Sequence, residues 1–407
     1  MKTLRTTAIV LAIALSSQAR IPPCRNIPTS LYPYKTAPGW SYVKVADGLH
    51  SPRDLIFDSR GRLLIVEKDV GISQHIVDTN GCITNTRLLI ENGDLNHGIC
   101  LSADEGILYA SSSSSVFSWI YDPATGNVGR SPGLVISGMA TSGHTTRTLA
   151  IPPHHTGNPK VARAIVKVFN MSITPIGGYD FISQGWNAGF GLRNEVGLAF
   201  DGNNMLWGVE NSADNLARTI NGTTTDVHTD NPSEELNFLG DVTFSNDDWY
   251  GYPVCFTVWN PGELLDRVFK VGQQFVQIPT LDFNDDTCAR ISVPPTLSFQ
   301  AHSAPLGCKF DAGFSNLFVA MHGSWNRQLP IGYKVVAVPF AQGPDGLYAP
   351  TAASWSIRGS IDVFYPPDET QCSSSTCIRP VGLAFDAAGR LYVTSDASGE
   401  VFLLSQG

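Results

Sequence analysis

The sequence predicts an all-β fold, and two observations lead to this prediction. The 407-residue chain contains 38 glycines and 26 prolines, while only 15% of its residues are charged. This composition is typical of short strands joined by many turns. One pattern also recurs six times: a short apolar run, a turn containing Asp or Gly, and a second apolar run. Each copy predicts a β-hairpin whose inner strand comes first.

The spacing of the six copies predicts how the hairpins assemble. The copies begin at Ser51, Asn96, Thr145, Arg193, His302 and Arg379. The first three intervals fit four-stranded blades, which take about 40 to 50 residues each. Blades packed around an axis cover each other's faces and leave few exposed edges. We therefore predict a single six-bladed β-propeller over residues 20–407. A β-sandwich is the alternative, but it does not explain a repeated inner-strand motif.

The third copy departs from the pattern. After "LAIPP" (149–153) the chain reads "HHTGNPKVARAIVKVFN", which has no second apolar run before the strand predicted at 164–169. The third blade is therefore predicted to lack a strand. Such a loss would expose backbone groups at an edge directly behind the start of this copy.

The N-terminus has the features of a secretory signal. Lys2 and Arg5 precede an apolar stretch over 7–15, and Ser17 and Ala19 provide the small residues that signal peptidase prefers. A membrane anchor is excluded because the apolar stretch is shorter than the ~20 residues that span a bilayer. We predict a signal peptide at 1–19 and a secreted, extracellular protein with no membrane partner.

The cysteine count agrees with an oxidising compartment. The eight cysteines are predicted to form disulfides, with Cys372–Cys377 and Cys255–Cys288 the expected pairs. Eight cysteines allow 105 connectivities, so the remaining pairing is open. A metal site is the alternative, but no CxxC pair supports it. Sequons at Asn170 and Asn221 predict glycosylated surface loops.

Net charge excludes one class of partner. The formal charge of -9 and the absence of a basic run disfavour nucleic acid, because a phosphate-binding surface needs clustered Lys and Arg.

The openings of the six copies nevertheless carry cationic and hydrogen-bonding groups. In a propeller they meet at one mouth of the axis, and they comprise Arg53, His97, His144 with Arg147, Arg193 with Asn194, His302, and Arg379. Arginine forks form bidentate pairs with carboxylates, so a polyanion is the simplest ligand. The alternative is that these arginines pair with turn aspartates and lock neighbouring blades together.

Several motifs together resemble one enzyme family. These motifs are "GHTTRTLAI", "GLRNEVGLAFD", "WGVENSADNL", "AHSAPLG", "HGSWNRQLPIGYKVV" and "RPVGLAFD". They resemble the pyrroloquinoline-quinone (PQQ)-dependent sugar dehydrogenases, most of all the secreted fungal pyranose dehydrogenases. The resemblance covers nearly all of the mature chain. It implies a six-bladed propeller that holds the tricarboxylate quinone over its axis together with a calcium ion.

The resemblance also implies roles for individual residues. His144 matches the general base that removes the anomeric hydroxyl proton, a role that suits an imidazole of ordinary pKa near 6.5. Arg193 and Asn194 match the pair that lies against the quinone, where a fixed cation stabilises developing negative charge. One departure follows this pair. Val196 stands where soluble glucose dehydrogenase has a glutamine, so a polar contact is lost.

The remaining predicted site residues concern the cofactor and the metal. Arg379 and Arg327 match residues that hold the cofactor carboxylates, and Arg53 and His302 complete the predicted cofactor-binding set. The main-chain carbonyls of Ser212 and Ala213 match the calcium ligands, since calcium prefers oxygen donors. Trp325 either lines the sugar channel or packs within a blade.

The predicted function is an extracellular PQQ-dependent dehydrogenase that oxidises an aldose or 2-ketoaldose at the anomeric carbon. The resemblance implies an external electron acceptor such as a haem b cytochrome, which in turn would supply a polysaccharide monooxygenase, and we expect a monomer. Two alternatives stay open. One is a calcium-dependent lactonase, which needs carboxylates and asparagines at the axis. The other is a non-catalytic binding propeller, since a fold does not fix a function.

Overall fold

Mostly antiparallel sheets arranged around an axis make up the described part of the protein. The computed structural model describes residues 21–150 and 164–407; the predicted signal peptide lies outside these residues. The first half of the chain contains the strands β1 (Lys35–Thr36), β2 (Trp40–Ala46), β3 (Pro52–Phe57), β4 (Arg62–Glu67), β5 (Gly71–Val77), β6 (Ile83–Glu91), β7 (Leu95–Leu101), β8 (Ile107–Ser112), β9 (Val116–Asp122), β10 (Asn127–Val128), β11 (Gly133–Ser137), β12 (Ile165–Val168), β13 (Tyr179–Asp180), β14 (Trp186–Phe190) and β15 (Glu195–Phe200).

The second half continues with β16 (Leu206–Glu210), β17 (Ala217–Ile220), β18 (Thr223–Asp226), β19 (Glu234–Gly240), β20 (Cys255–Thr257), β21 (Gln274–Val276), β22 (Leu297–Phe299), β23 (Pro305–Phe310), β24 (Asn316–Met321), β25 (Lys334–Gln342), β26 (Tyr348–Pro350), β27 (Ile361–Tyr365), β28 (Pro380–Phe385), β29 (Leu391–Ser395) and β30 (Glu400–Gln406). One α-helix, α1 (Asp285–Ile291), and three single-turn 3₁₀ segments at Met171–Ile173, Pro261–Glu263 and Glu369–Gln371 complete the described elements.

Five of the sheets are blades of four or more strands. Their strand orders are β3-β4-β5-β6, β7-β8-β9-β11-β13, β15-β16-β19-β22, β23-β24-β25-β27-β1 and β28-β29-β30-β2. Two N-terminal strands complete the last two blades, β1 against β27 and β2 against β30. The chain therefore closes the ring with its own beginning. The small sheets β17-β18 and β20-β21 are insertions within the blade that starts at β15.

The described residues form five blades, not the six that were predicted. Where the third blade was predicted, the described residues form only the two-stranded sheet β12-β14, and the segment 144–150 forms no strand. The strand predicted at 164–169 is present as β12. The physical reason is visible in the sequence: two prolines follow the inner run, and no second apolar run is available to pair with it. Residues 151–163 lie outside the described residues.

The segment 144–150 nevertheless occupies an inner position at the axis. Ser111 Oγ donates a hydrogen bond of 2.6 Å to the carbonyl of Arg147, and Thr148 Oγ1 donates to the carbonyl of Val196. Thr394 Oγ1 donates to the carbonyl of Arg53 in the same way between the last blade and the first. The segment thus bridges β8 and β15.

Close approach at the axis explains four glycines of the repeat. A Cβ atom at each of them would overlap a carbonyl oxygen of the next inner segment, at Gly98, Gly197, Gly307 and Gly382. Any larger residue would push neighbouring blades apart. Val196, which stands where soluble glucose dehydrogenase has a glutamine, is buried at the same level as Leu306 and Val381. The three apolar side chains fill the axis below the mouth.

The repeated Asp forms the turn of three of the hairpins. Asp386 Oδ1 accepts the backbone N–H groups of Ala388 and Arg390 at 3.0 and 2.9 Å. Asp58 and Asp201 make the same two bonds, to the second and fourth residues beyond them. Side-chain capping of the turn is therefore the reason for the Phe-Asp pattern. Five of the six predicted hairpins are confirmed, by the antiparallel pairs β3-β4, β7-β8, β15-β16, β23-β24 and β28-β29; the third copy forms no hairpin within the described residues.

Both predicted disulfides are confirmed. Cys255 bonds to Cys288 and Cys372 to Cys377, and a third disulfide joins Cys24 to Cys82, which ties the N-terminal segment to the first blade. Two cysteines carry free thiols, Cys100 and Cys308.

The two sequons differ in their surroundings. Asn221 is exposed in the turn between β17 and β18, as predicted, but Asn170 is buried and its side chain accepts the N–H of Ser172. The surface position predicted for Asn170 is therefore wrong. Among the described residues, no helix has the length and apolar character needed to cross a membrane.

Candidate active site

The openings of the inner segments converge at one end of the axis. Asn96, at the start of β7, donates from Nδ2 to the carbonyl of Thr145 at 3.0 Å. Asn326 Nδ2 donates to the carbonyl of Asp214 at 2.5 Å, which links the loop after β24 to the loop after β16. These bonds connect the start of β7 to the inner segment 144–150, and the loop after β24 to the loop after β16, at the end of the axis called the mouth.

One side of the mouth is a chain of four charged or polar side chains. Arg53 Nη1 pairs with Asp396 Oδ2, and Asp396 Oδ1 lies 2.9 Å from His322 Nε2. His322 Nδ1 lies 2.9 Å from Arg379 Nη2. Arg379 also donates to the carbonyls of His322 and Gly323 at 3.1 Å. Because Arg53 lies at the start of β3, Arg379 precedes β28 and His322 follows β24, this Arg53–Arg379 chain joins three blades.

Several buried polar atoms at the mouth have no protein partner among the described residues. They are Arg53 Nε, Asn96 Oδ1, His97 Nδ1 and Asn326 Oδ1. Buried polar groups are normally hydrogen-bonded, and a free buried group costs about 1 to 3 kcal/mol. Donors and acceptors left over around one opening fit a polar ligand that lies across it.

Arg193 is held by the protein itself. Its Nη2 pairs with Asp214 Oδ2 at 2.5 Å, and its Nη1 donates to the carbonyls of Asn211 and Ser212. Its backbone N–H donates to Glu210 Oε1 at 2.5 Å. The guanidinium of Arg193 is thus fixed at the mouth, and the carboxylate of Asp214 neutralises part of its positive charge. Asn194, the next residue, lines the cavity beside it.

His144 lies on a loop that Arg147 holds in place. Arg147 Nη1 donates to the carbonyls of His144 and Thr146 at 3.0 and 2.9 Å, and Nη2 donates to the carbonyl of Ala140. His144 faces a cavity of about 630 Å³ and remains accessible to solvent. Desolvation, and next the nearby charge of Arg193, lower the pKa of His144. The imidazole is therefore neutral near pH 7 and able to accept a proton.

The cavity beside His144 has a polar end and a largely apolar wall. The polar end is formed by His144, Arg147, Arg193 and Asn194. The apolar wall includes Phe169, Phe181, Leu192, Leu198, Phe200 and Leu206. It lies where the third blade is reduced to the sheet β12-β14. The incomplete blade thus borders the predicted base directly.

Arg327 and His302 stand on the far side of the mouth. Arg327 Nη1 pairs with Asp230 Oδ1 at 2.6 Å and also donates to the carbonyl of Thr229. His302 Nε2 bonds to the carbonyl of His228, and its backbone has φ of 66°. A left-handed backbone at a non-glycine residue stores strain, which is common at functional sites. Both predicted residues lie at the mouth, but each is already engaged by the protein.

The predicted calcium ligands are partly occupied in this arrangement. The carbonyl oxygen of Ser212 accepts from Arg193, and the Ser212 N–H donates to Glu234 Oε2 at 2.6 Å. Ala213 packs against an apolar cluster that includes Leu216. Within the described ranges there is no group of three or more His, Cys, Asp or Glu placed to hold a metal ion. A carbonyl oxygen has two lone pairs, so the Ser212 oxygen keeps one for a calcium ion beside the Arg193 guanidinium.

Sequence reasoning missed the two residues at the centre of the Arg53–Arg379 chain, His322 and Asp396. A signal was present. In an antiparallel hairpin the end of the second strand lies beside the start of the first, and Ser395 pairs with Pro380. Residues just after the second strand therefore belong to the mouth as much as those that open the first. Trp325 is 69% exposed, so it does not pack within a blade.

Three buried glutamates in adjacent strands lie beneath the mouth, and we call them the glutamate ladder. Glu195, Glu210 and Glu235 lie side by side on β15, β16 and β19, in direct register. Asn237 Nδ2 donates to Glu195 and Glu210 at 3.3 and 3.2 Å. Burial raises the pKa of all three carboxyl groups, and the neighbouring carboxylates add to the effect in Glu195 and Glu210. We infer that the ladder holds protons at neutral pH, because like charges in adjacent strands repel.

Stability is expected to fall as this ladder ionises. Burial raises the pKa of Glu235 from 4.5 to about 7, so its contribution is complete below pH 4.5 and is lost as the pH rises through 7. Between pH 5 and pH 8, the melting temperature of Glu235→Gln should fall less steeply than that of the wild type. At pH 8 the removed decline corresponds to ~2 kcal/mol of unfolding free energy. Calorimetry across this range measures it. The exposed Glu91→Gln is the control, and an unchanged pH slope in Glu235→Gln would refute the ladder's protonation.

The fold and the mouth define a β-propeller with an axial site rich in arginine and histidine. A family model described as TrAA12-like matches residues 34–407, and the chain belongs to this family. A curated relative, the pyrroloquinoline quinone-dependent pyranose dehydrogenase of Coprinopsis cinerea, is 39% identical over 94% of this chain. This chain spans 56% of that relative's length. The pyrroloquinoline quinone-dependent sugar dehydrogenase of Hypocrea jecorina is 34% identical, over 91% of this chain and 89% of the relative.

Solved structures give the same result. The holo form of the pyranose dehydrogenase PQQ domain from Coprinopsis cinerea superposes with a TM-score of 0.90 at 38% identity, covering 94% of this chain and 99% of that one. A calcium structure of a Trichoderma reesei enzyme of carbohydrate-active family AA12 superposes with a TM-score of 0.86 at 34% identity, covering 95% and 100%. The predicted membership of the PQQ-dependent sugar dehydrogenase family is thus confirmed.

Proposed function

We propose that the protein is a PQQ-dependent sugar dehydrogenase that oxidises an aldose or 2-ketoaldose at its anomeric carbon. The observation that carries this proposal is the Arg53–Arg379 chain. The chain contains two guanidinium groups and one carboxylate, so one positive charge is left over, and Arg53 Nε has no partner among the described residues. A planar triacid offers carboxylates that match such donors in charge and geometry. Relatives named for this cofactor, at 34 to 39% identity, support the proposal.

The residues of the mouth divide the work. Arg53 and Arg379 bind carboxylates of the cofactor, and Arg327 and His302 border the same opening. The bound quinone supplies the acceptor for the hydride from the anomeric carbon. His144, neutral near pH 7, removes the proton of the anomeric hydroxyl through an imidazole nitrogen. Arg193 and Asn194 form the polar wall beside His144, where a fixed cation stabilises negative charge that develops during the reaction.

Calcium is proposed from the comparison with a relative. A solved relative is named as a calcium structure, and the Ser212 and Ala213 carbonyls are the proposed ligands. Here the Ser212 oxygen accepts a hydrogen bond from Arg193. We therefore assign no step of the reaction to the metal.

The setting of the enzyme is also a proposal. The signal sequence at 1–19 and the three disulfides support a secreted protein. Electrons would leave to an external acceptor such as a haem b cytochrome, which would in turn supply a polysaccharide monooxygenase. The lactonase alternative is disfavoured because the described mouth presents arginines where that chemistry needs converging oxygen ligands for calcium.

Reconstitution tests the proposal. The purified chain is incubated with PQQ, with and without calcium, and reduction of a dye is followed across a panel of aldoses and 2-ketoaldoses. We expect sugar-dependent dye reduction that requires PQQ. PQQ binding without turnover on any sugar would favour the binding propeller, and lactone hydrolysis that needs calcium but no PQQ would favour the lactonase.

A further inference from the structure

We propose that Asp396 is a positioning residue, which aligns Arg379 through His322 so that the guanidinium groups of Arg53 and Arg379 face one anionic ligand. This inference rests on the proposed function, because the ligand in question is the triacid cofactor. It concerns how the site is held together rather than which residues touch the cofactor.

The carboxylate of Asp396 has two partners on two other blades. Its Oδ2 pairs with Arg53 Nη1, and its Oδ1 lies 2.9 Å from His322 Nε2. The three side chains are only 11 to 16% exposed. Although burial opposes ionisation, His322, Arg53 and Arg379 hold the pKa of Asp396 well below its usual range. The carboxylate is therefore charged and can only accept hydrogen bonds.

The hydrogen-bond chemistry allows His322 one tautomer. Arg379 carries donors only, so His322 Nδ1, at 2.9 Å from Arg379 Nη2, must be the acceptor. The ring proton then lies on Nε2, which donates to Asp396. Burial lowers the pKa of His322, against the opposing effect of Asp396, so the ring stays neutral near pH 7. By accepting the Nε2–H proton, Asp396 keeps His322 Nδ1 unprotonated. The lone pair on Nδ1 then sets the orientation of Arg379.

This alignment leaves selected donors for a ligand. Arg379 uses Nε and Nη2 within the protein, and its guanidinium lies 5.9 Å from the ring centroid of Tyr333. Nη1 makes no hydrogen bond within the described residues. Arg53 likewise keeps Nε free, beside the Nη1 that Asp396 holds. Loss of Asp396 would release both guanidinium groups from a common orientation.

Asp396→Asn separates positioning from simple electrostatics. Arg53 Nη1 and His322 Nε2–H contact different oxygens of Asp396, and asparagine replaces one of these oxygens with an NH2 group that only donates, so one of the two contacts is lost in the observed arrangement. The substitution also adds one positive charge to the mouth. Electrostatics alone predicts tighter binding of PQQ, whereas loss of alignment predicts weaker binding.

Calorimetric titration of PQQ into the cofactor-free chain distinguishes the two. We expect Asp396→Asn to weaken binding about 10-fold, equivalent to ~1.4 kcal/mol. The control is Asp386→Asn, which makes the same change of charge in an Asp–Arg390 pair at the other end of the β28-β29 hairpin, and it should bind PQQ like the wild type. Unchanged or tighter binding by Asp396→Asn overturns the proposal.

A second measurement does not depend on the cofactor. Nitrogen-15 NMR of the histidine rings, assigned with His322→Gln, should show His322 in the single Nε2–H tautomer in the wild type and a mixture in Asp396→Asn. Identical His322 nitrogen shifts in both proteins overturn the proposal. Should the wild type fail to bind PQQ, the proposed function fails, and the tautomer measurement alone decides the role of Asp396.

Discussion

His144→Ala is expected to lower the rate of PQQ-dependent sugar oxidation by about 100- to 10,000-fold, the usual contribution of a positioned general base. The affinity for PQQ should stay close to that of the wild type, because the Arg53–Arg379 chain does not include His144. The lowered pKa of His144 adds a pH dependence. Activity should fall as the pH drops below that pKa, where the imidazole takes up a proton and cannot act as a base.

Steady-state kinetics with an artificial acceptor, together with a PQQ titration, measure both effects. His50→Ala is the control, since His50 is an exposed histidine that bonds to the carbonyl of Lys68 at 2.8 Å. Equal losses of turnover and of PQQ affinity would mean that His144 maintains the structure of the loop 140–147 and is not the base that accepts the proton.

Arg379→Ala is expected to weaken PQQ binding by about 30-fold or more. Truncation of one partner in a buried charge-assisted contact costs roughly 2 to 5 kcal/mol, and 2 kcal/mol corresponds to about 30-fold. Arg379→Lys should lie between the alanine variant and the wild type, because lysine keeps the charge but cannot form the planar fork.

Fluorescence quenching of the protein by PQQ measures these affinities. Arg390→Ala, at the opposite end of the same hairpin, is the control for loss of an arginine. An Arg379→Ala variant that binds PQQ like the wild type would show that this arginine locks the blades through His322 and does not contact the ligand.

Local patterns in the sequence were sufficient to predict the hairpins. Each hairpin is specified by an apolar run, an Asp turn and a second apolar run, and the backbone groups that Asp58, Asp201 and Asp386 cap lie within four residues of them. Disulfides that close short loops were predictable for the same reason. The number of blades was not, because the third copy supplies an inner segment without the strands that would make it a blade.

The charge pairing at the mouth could not be predicted from the repeat. Arg53 pairs with Asp396 across the closure of the ring, and Arg193 and Arg327 pair with Asp214 and Asp230. Such contacts depend on which loops meet at the axis, and this is decided by the packing of whole blades. The sequence left two roles open for these arginines, ligand binding and the pairing of neighbouring segments. In the structure Arg53 and Arg379 converge in one chain of contacts, and Arg53, Arg193 and Arg327 also pair with aspartates of other segments.

The most direct test of the account is a PQQ titration of the wild type and of Arg53→Gln/Arg379→Gln at moderate salt. We expect saturable binding of one PQQ per chain in the wild type and an affinity at least about 100-fold weaker in the double variant, equivalent to ~2.7 kcal/mol. Both proteins should melt cooperatively, which shows that the fold is retained. Equal affinities in the two proteins, or no saturable binding in the wild type, would contradict the claim that the arginines of the mouth bind a triacid.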